Sequence, residues 1–238
     1  MKNILITGGA GFIGSRLCEM LFEKGYNITI LDCLSPQVHG KGESSLFKRV
    51  KDKCSFIKGD VRVIADLKKA IKGQQVIVHL AAETGTGQSM YEKSKYFDVN
   101  VKGTENLLMV LAEKKYPVEK IIISSSRAIY GEGKYVCKNN GFVYPSHRTE
   151  QDMKQGDFNP KFKACSSQIK LVPTDEESKI HPTSIYGVTK QKQEELILSA
   201  AKSLDIPAVS FRYQNVYGPG QSLSNPYTGI LSVFSTRI

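Results

Sequence analysis

The chain has 238 residues, 40% of them apolar, and a formal net charge of +10. That is the size of one large domain, with an ordinary globular share of apolar residues and no run of about 18 that would span a membrane. Its lysines are spread over 48–53, 68–72, 93–95, 114–120 and 154–170 without interleaved aromatics. They read as solvated helix faces and not as a nucleic-acid surface.

Lys2 to Thr7 reads as a short buried strand at the very start of the chain, which leaves no room for a signal peptide. Gly8-Gly9-Ala10-Gly11-Phe12-Ile13-Gly14 follows, and Ser15 to Lys24 then has helical spacing, with Leu17, Met20 and Leu21 on one face. Strand, glycine turn and helix make a phosphate cradle. Gly8 permits the turn, Gly11 the approach of a pyrophosphate, and Gly14 close packing of helix on strand. The helix N-terminus offers free N–H groups and a positive dipole end. Asn27 to Leu31 is a second strand ending at Asp32, an acid at the spacing expected to grip both ribose hydroxyls of adenosine. A carboxylate there repels a 2′-phosphate, so NAD is expected over NADP.

Residues 34–53 read as loop plus a short helix, Cys54 to Lys58 as a third strand closing on Gly59-Asp60-Val61, and 62–72 as a helix. Val76 to Leu80 is a fourth strand running into Ala81-Ala82, small residues that suit close approach to a cofactor. His79 is read as a packing residue of the strand end. Tyr96 to Lys115 is a long helix with Asn100 placed to reach a neighbouring loop, and Lys120 to Ile123 a fifth strand opening into Ser124-Ser125-Ser126. This alternation predicts a parallel, doubly wound sheet of order 3-2-1-4-5-6, with ligands at the carboxyl ends of its strands.

Residues 131–182 break the rhythm with four glycines, four prolines and little periodicity. They read as an insertion over the sheet edge, either a substrate lid or a poorly ordered loop, and not as a separate domain. The five cysteines (18, 33, 54, 137 and 165) are scattered, with Gln168 where a partner for Cys165 in a metal half-site would stand. Neither a disulfide framework nor a zinc site is expected, and a reducing cytoplasm fits. Pro182-Thr183-Ser184 caps a helix to about Ser203, and Ala208 to Phe211 is a sixth strand.

Tyr186 and Lys190 are four apart on that last helix and share a face. A neighbouring ammonium and the helix N-terminus are expected to pull the tyrosine pKa down. Such a phenolate removes a proton from a sugar hydroxyl while the carbon is oxidised by nicotinamide, and a serine from the adjacent strand end holds the same oxygen.

Thr7 to Gly14, Asp60-Val61, His79 to Ala82, Asn100-Val101-Lys102-Gly103-Thr104, Tyr186-Gly187-Val188-Thr189-Lys190 and Arg212-Tyr213-Gln214-Asn215-Val216-Tyr217-Gly218 together resemble the extended short-chain dehydrogenase/reductases. The branch is the NAD-dependent epimerase/dehydratase family acting on nucleotide sugars. The resemblance implies a Rossmann-type α/β fold over 1–220, interrupted by the insertion. It implies that Gly8, Gly11, Phe12, Ile13, Gly14, Asp32, Asp60, Val61, Ala81, Ala82, Asn100, Ser124, Tyr186 and Lys190 hold NAD. Ser126, Tyr186 and Lys190 would be catalytic, Ser126 because it stands four before Tyr130 of a Tyr-Gly pair. Ser126 and Asn215 would touch the nucleotide-diphosphate sugar.

Dehydratases of the family carry an Asp-Glu pair directly after the serine. Arg127 and Ala128 stand there, so elimination of water is disfavoured and 4-epimerisation is expected. Within the family the chain is most similar to 4-epimerases of deoxythymidine-diphospho-6-deoxyhexoses. A sugar reductase or decarboxylase, and a catalytically silent NAD-binding protein, are the competing readings. The resemblance also implies a homodimer through the helices Tyr96–Lys115 and Ser184–Ser203, with Leu107, Leu111, Leu196 and Ile197 in the interface. Family members continue past the Asn-Val-Tyr-Gly segment into a substrate lobe, so 221–238 is expected to begin a lobe of which about 100 residues are missing.

Overall fold

The computed structural model describes residues 2–40, 42–165, 168–221 and 234. The chain enters β1 (Asn3–Thr7), turns through the glycines into α1 (Phe12–Glu23) and returns in β2 (Asn27–Asp32). Two short helices, α2 (Pro36–His39) and α3 (Ser45–Val50), lead to β3 (Ser55–Lys58), which is followed by α4 (Ile64–Ile71) and β4 (Val76–His79). Short helices α5 (Thr86–Ser89) and α6 (Lys93–Tyr96) then run into a π-helical stretch, Phe97–Lys102, and α7 (Gly103–Ala112). β5 (Lys120–Ser126) ends in a 3₁₀ turn, Arg127–Tyr130. The inserted segment holds β6 (Tyr135–Cys137), β7 (Gly141–Val143), α8 (Glu150–Lys154) and β8 (Lys170–Leu171), before α9 (Ile185–Leu204) and β9 (Ala208–Tyr213).

Six strands form one parallel sheet of order β3-β2-β1-β4-β5-β9, the doubly wound order expected. Strand alternation divides the core between its two faces. Leu5, Leu31, Ile77, Ile121 and Ile123 pack with Leu67 and Ile71 of α4, Leu107, Val110 and Leu111 of α7, and Ile197 of α9. Ile4, Ile6, Ile28, Ile30 and Val78 face the other way, onto Cys18 of α1 and Phe47 and Val50 of α3. Because both faces are covered, the strands read as nearly continuous apolar runs.

Three expectations are corrected. The helix expected as one piece from Tyr96 to Lys115 is α6, the π stretch and α7; the wider turn at 97–102 carries the fully buried Asn100. Leu107, Leu111 and Ile197 are at most 3% exposed and belong to this chain's own core, so they are not free to form an interface. Finally, Cys137 and Cys165 form a disulfide. Antiparallel pairing of β6 with both β7 and β8 closes the insertion into a three-stranded sheet, and this brings together two cysteines 28 positions apart. The insertion is thus neither a bare loop nor unstructured. Among the described residues its own core is Tyr135, Cys137 and Val143, with Phe162, Cys165 and Ile169 packed against them.

So small a core makes the covalent tie matter. Removing it by reduction or by Cys137→Ser is expected to cost this subdomain about 2–4 kcal/mol through the unfolded loop it releases. Limited proteolysis should then cut within 144–164 while the parallel sheet keeps its melting temperature. Equal resistance of reduced and oxidised protein would refute this.

Candidate active site

A cavity of about 2100 Å³ opens along the carboxyl ends of the parallel strands, and it is lined by Gly8, Gly11, Phe12, Ile13 and Gly14, by Asp32, by Asp60 and Val61, by Ala81 and Ala82, by Ser124 and Ser126, by Tyr186 and Lys190, and by Asn215. Of the residues expected to hold cofactor or substrate, Asn100 alone is not among those lining it.

At the glycine turn the fit is tight. Gly8 has φ +69°, and a Cβ there would lie 2.8 Å from the Ala81 backbone nitrogen; a Cβ on Gly14 would lie 2.5 Å from Gly9 Cα. The first turn of α1 has no side-chain cap and no acid, so its N–H groups and dipole are free for an anion. Asp32 is fixed between two loops: Oδ2 accepts from Ala10 N at 3.0 Å and Oδ1 from Leu34 N at 2.8 Å. His39 Nε2 lies 3.8 Å from Oδ1, and burial pushes this imidazole below its ordinary pKa despite the charge of Asp32. Asp60 is clasped by the Arg62 guanidinium at 2.6 to 3.1 Å. Burial raises the Asp60 carboxyl, but the Arg62 hydrogen bonds and charge outweigh it and hold the group below the usual value.

Asn100 acts one layer back. Its Oδ1 accepts from Glu83 N at 2.7 Å, and its Nδ2 donates to Glu83 O at 3.1 Å and to Thr189 Oγ1 at 3.0 Å. It therefore holds the loop after β4, a neighbouring loop as expected, against α9 instead of lining the cavity. His79 is packed as expected, fully buried between Thr7 and Thr104.

The three proposed catalytic side chains meet at the end of β5. Ser184 caps α9 by accepting from Gly187 N at 3.0 Å, and Tyr186 N donates to Ser89 Oγ at 3.0 Å, so the first turn is anchored from two sides. Ser126, whose Oγ accepts from Ala128 N at 3.1 Å, stands beside the buried Tyr186 hydroxyl. Burial raises the Tyr186 pKa, opposed by the Ser126 hydroxyl and the charge of Arg127. This differs from the expectation that Lys190 lowers it. The reason is where the ammonium sits: Nζ donates to Gln193 Oε1 at 2.7 Å and to Ser124 Oγ at 3.4 Å, and burial pushes Lys190 itself down to about 7. Sequence reading treated Arg127 only as the lack of an acid. In the structure it lines the cavity, and its Nε donates to Asn215 Oδ1 at 3.1 Å.

A doubly wound sheet with a glycine cradle at its strand-order reversal defines a dinucleotide-binding fold. The chain belongs to the NAD dependent epimerase/dehydratase family, whose model matches residues 4–238. It is 37% identical, over 98% of its length, to 63% of a dTDP-L-rhamnose 4-epimerase of Burkholderia thailandensis. Among solved structures it resembles a UDP-N-acetylglucosamine 4-epimerase from Methanobrevibacter ruminantium in complex with UDP-N-acetylmuramic acid (TM-score 0.73, 27% identity, 99% of this chain and 62% of that one). It also resembles a UDP-glucose 4-epimerase from Brucella ovis in complex with NAD (TM-score 0.67, 26% identity, 95% and 55%). The chain thus spans less than two thirds of the length of these relatives. The expected start of a further lobe at 221–238 lies outside the described residues, apart from Gln221 and Phe234.

The Asn100 anchor is directly testable. Asn100→Leu leaves the half-buried Glu83 backbone without its partners and should lower the unfolding free energy by about 1–3 kcal/mol in denaturant titration. A loss below about 0.5 kcal/mol would show that the loop after β4 is held by other contacts.

Proposed function

We propose that this chain is the cofactor-binding and catalytic part of an NAD-dependent 4-epimerase of nucleotide-diphosphate sugars. One observation carries the reading: Ser126, Tyr186 and Lys190 converge on the cavity that the glycine turn and Asp32 also line, with Arg127 and Ala128 where a dehydratase has its acid pair. The relatives named above support it.

The residues present fit NAD. The cradle is one that a Cβ at Gly8 or Gly14 would fill, α1 offers uncapped N–H groups to a diphosphate, and Asp32 is held at the end of β2 to accept from ribose hydroxyls and repel a 2′-phosphate. Bound there, NAD supplies reversible two-electron oxidation of the carbinol carbon.

The chain's own groups do the rest. Tyr186 takes the proton of the sugar 4-hydroxyl as general base, and Ser126 holds the reacting oxygen. Lys190 adds positive charge at the base of the pocket and binds the nicotinamide ribose. Asn215, fixed by Arg127, contacts the diphosphate or the sugar. The 4-keto sugar turns to present its other face, and Tyr186 returns the proton. No carboxylic acid at 127 or 128 is available to expel water.

Assembly as a homodimer belongs to the same proposal. With Leu107, Leu111 and Ile197 inside the core, the large apolar residues exposed for contact are Met109 on α7 and Leu198 on α9, with Leu196 half-buried beside it. A monomer at micromolar concentration in sedimentation would remove this assembly. A cytoplasmic location is supported by the free thiols Cys18, Cys33 and Cys54; the Cys137–Cys165 bond is the observation against it.

With the full-length protein and a nucleotide sugar deuterated at C4, epimerisation should return the label to C4 without exchange into water or net consumption of NAD. Tyr186→Phe should still bind NAD and lose turnover by about 10²- to 10⁴-fold. Tyr186 acts only when ionised, and burial raises its pKa, so the rate should climb with pH on the alkaline side. Arg127→Gln removes a nearby cation and should move that climb to higher pH. Label lost to solvent, net conversion of NAD, or a near-normal Tyr186→Phe rate would overturn the mechanism.

A further inference from the structure

Lys190 is 2% exposed, and burying an ammonium is costly unless acceptors replace its water. The acceptor at shortest range is Gln193, itself fully buried one turn further along α9, whose Oε1 takes the Nζ proton at 2.7 Å. The other end of this carboxamide is fixed as firmly. Its Nε2 donates to Thr104 Oγ1 at 2.9 Å, while the Thr104 hydroxyl donates to the Asn100 carbonyl at 2.6 Å. With its one proton so committed, Thr104 Oγ1 acts only as an acceptor toward His79 Nε2, 3.1 Å away. That places the ring proton on Nε2 and leaves Nδ1 to accept the Thr7 hydroxyl at 2.7 Å. Thr7 Oγ1 in turn accepts from Ala81 N at 3.3 Å. The pattern requires a neutral imidazole, and burial together with the Lys190 charge holds His79 down at about 3. It also forbids the flipped amide, which would set an NH₂ against an ammonium. A single buried chain of hydrogen bonds thus joins the lysine to the last residue of β1, the loop after β4 and the π stretch.

We propose that Gln193 is the positioning residue of Lys190: its carboxamide, anchored on the Thr104 hydroxyl that His79 also engages, fixes the ammonium at the cavity wall. The proposal rests on the reading of Lys190 as the cofactor-facing lysine of an epimerase. An ammonium has three donors; Gln193 and Ser124 engage two of them and leave one for the cavity, which Lys190 lines. Gln193 gives an acceptor without a charge. The titratable groups facing Lys190 are Glu194 on its own helix and His79 on β4, whereas β5 presents the uncharged Ser124 and α7 the uncharged Thr104 behind Gln193. Glu194 is already paired with Arg212 at 2.7 Å. The lysine is therefore held by hydrogen bonds more than by countercharge, which keeps its proton exchangeable near neutral pH.

The test reads Lys190 directly. Acetic anhydride labelling of its amine, resolved by mass spectrometry across pH, is compared between the wild-type chain, Gln193→Glu and Gln193→Leu, alongside NAD affinity by calorimetry. Gln193→Glu puts a carboxylate at the same place and should move the labelling midpoint upward by about one pH unit or more. Gln193→Leu removes the acceptor and should lower the midpoint and weaken NAD binding on the order of tenfold. A folded Gln193→Leu variant with wild-type labelling and affinity would make Gln193 a mere core residue and overturn the proposal. Should Gln193→Leu fail to fold, an unshifted midpoint in Gln193→Glu overturns it equally. Neither labelling result depends on turnover, so failure of the wild-type protein to epimerise sugars would sink the functional reading and leave the role of Gln193 to be decided by the labelling.

Discussion

β1 and β4 lie side by side where the strand order reverses, and the two backbones leave their strands so close together that only glycine fits at position 8. A side chain there would press on the Ala81 backbone. This single close approach has consequences on both sides. It shapes the turn that presents the N-terminus of α1 to the cavity. It also brings Thr7 under Ala81 and next to His79, the first link of the buried polar chain that ends at Lys190. The glycine turn and the buried surroundings of Lys190 are therefore two faces of one seam, and the cavity has its place because β1 and β4 are neighbours in the sheet.

Burial divides the electrostatics of that cavity. At the β2–β3 end, Asp32 accepts two backbone N–H bonds, and the fork of Arg62 on Asp60 holds that carboxyl below its usual value. At the β5 end the same physics works against charge: Tyr186 is pushed up and Lys190 down, each toward neutrality. Lys190, brought to about 7, is poised to exchange a proton near neutral pH, Tyr186 is moved away from it, and fixed carboxylates are suited to orienting a polar ligand. Arg127 is the exposed cation between these regimes, in contact with Asn215 and near enough to bias Tyr186.

The inserted sheet is a different kind of structure. Its few buried residues would not hold three short strands by themselves, and the covalent tie between Cys137 and Cys165 compensates for core that is not there. Glu132, His147 and Arg148 of this segment reach the cavity, and Glu132 pairs with Arg148 at 2.9 Å. The segment is thus a small wall added to the site, built on its own local scaffold and not on the main sheet.

The sequence by itself determined the parallel sheet, its strand order and the cavity's floor. Those depend on local signals: apolar runs of strand length, a glycine spacing, an acid at a strand end and a Tyr–Lys pair one turn apart. What it could not determine depends on contacts between residues far apart in the chain. Cys137 and Cys165 read as unrelated until antiparallel pairing aligned them. Leu107, Leu111 and Ile197 have the same amphipathic signature whether they face a sheet or a second subunit, and only packing showed that the sheet takes them. Asn100 was legible as an amide reaching a neighbouring loop, but that it is buried on Glu83 and does not also line the cavity depends on the packing of the π stretch. Gln193 carried no signal at all, because a glutamine on a helix is ordinarily a solvated residue; only the tertiary structure buried it between a lysine and a threonine and so gave it a role.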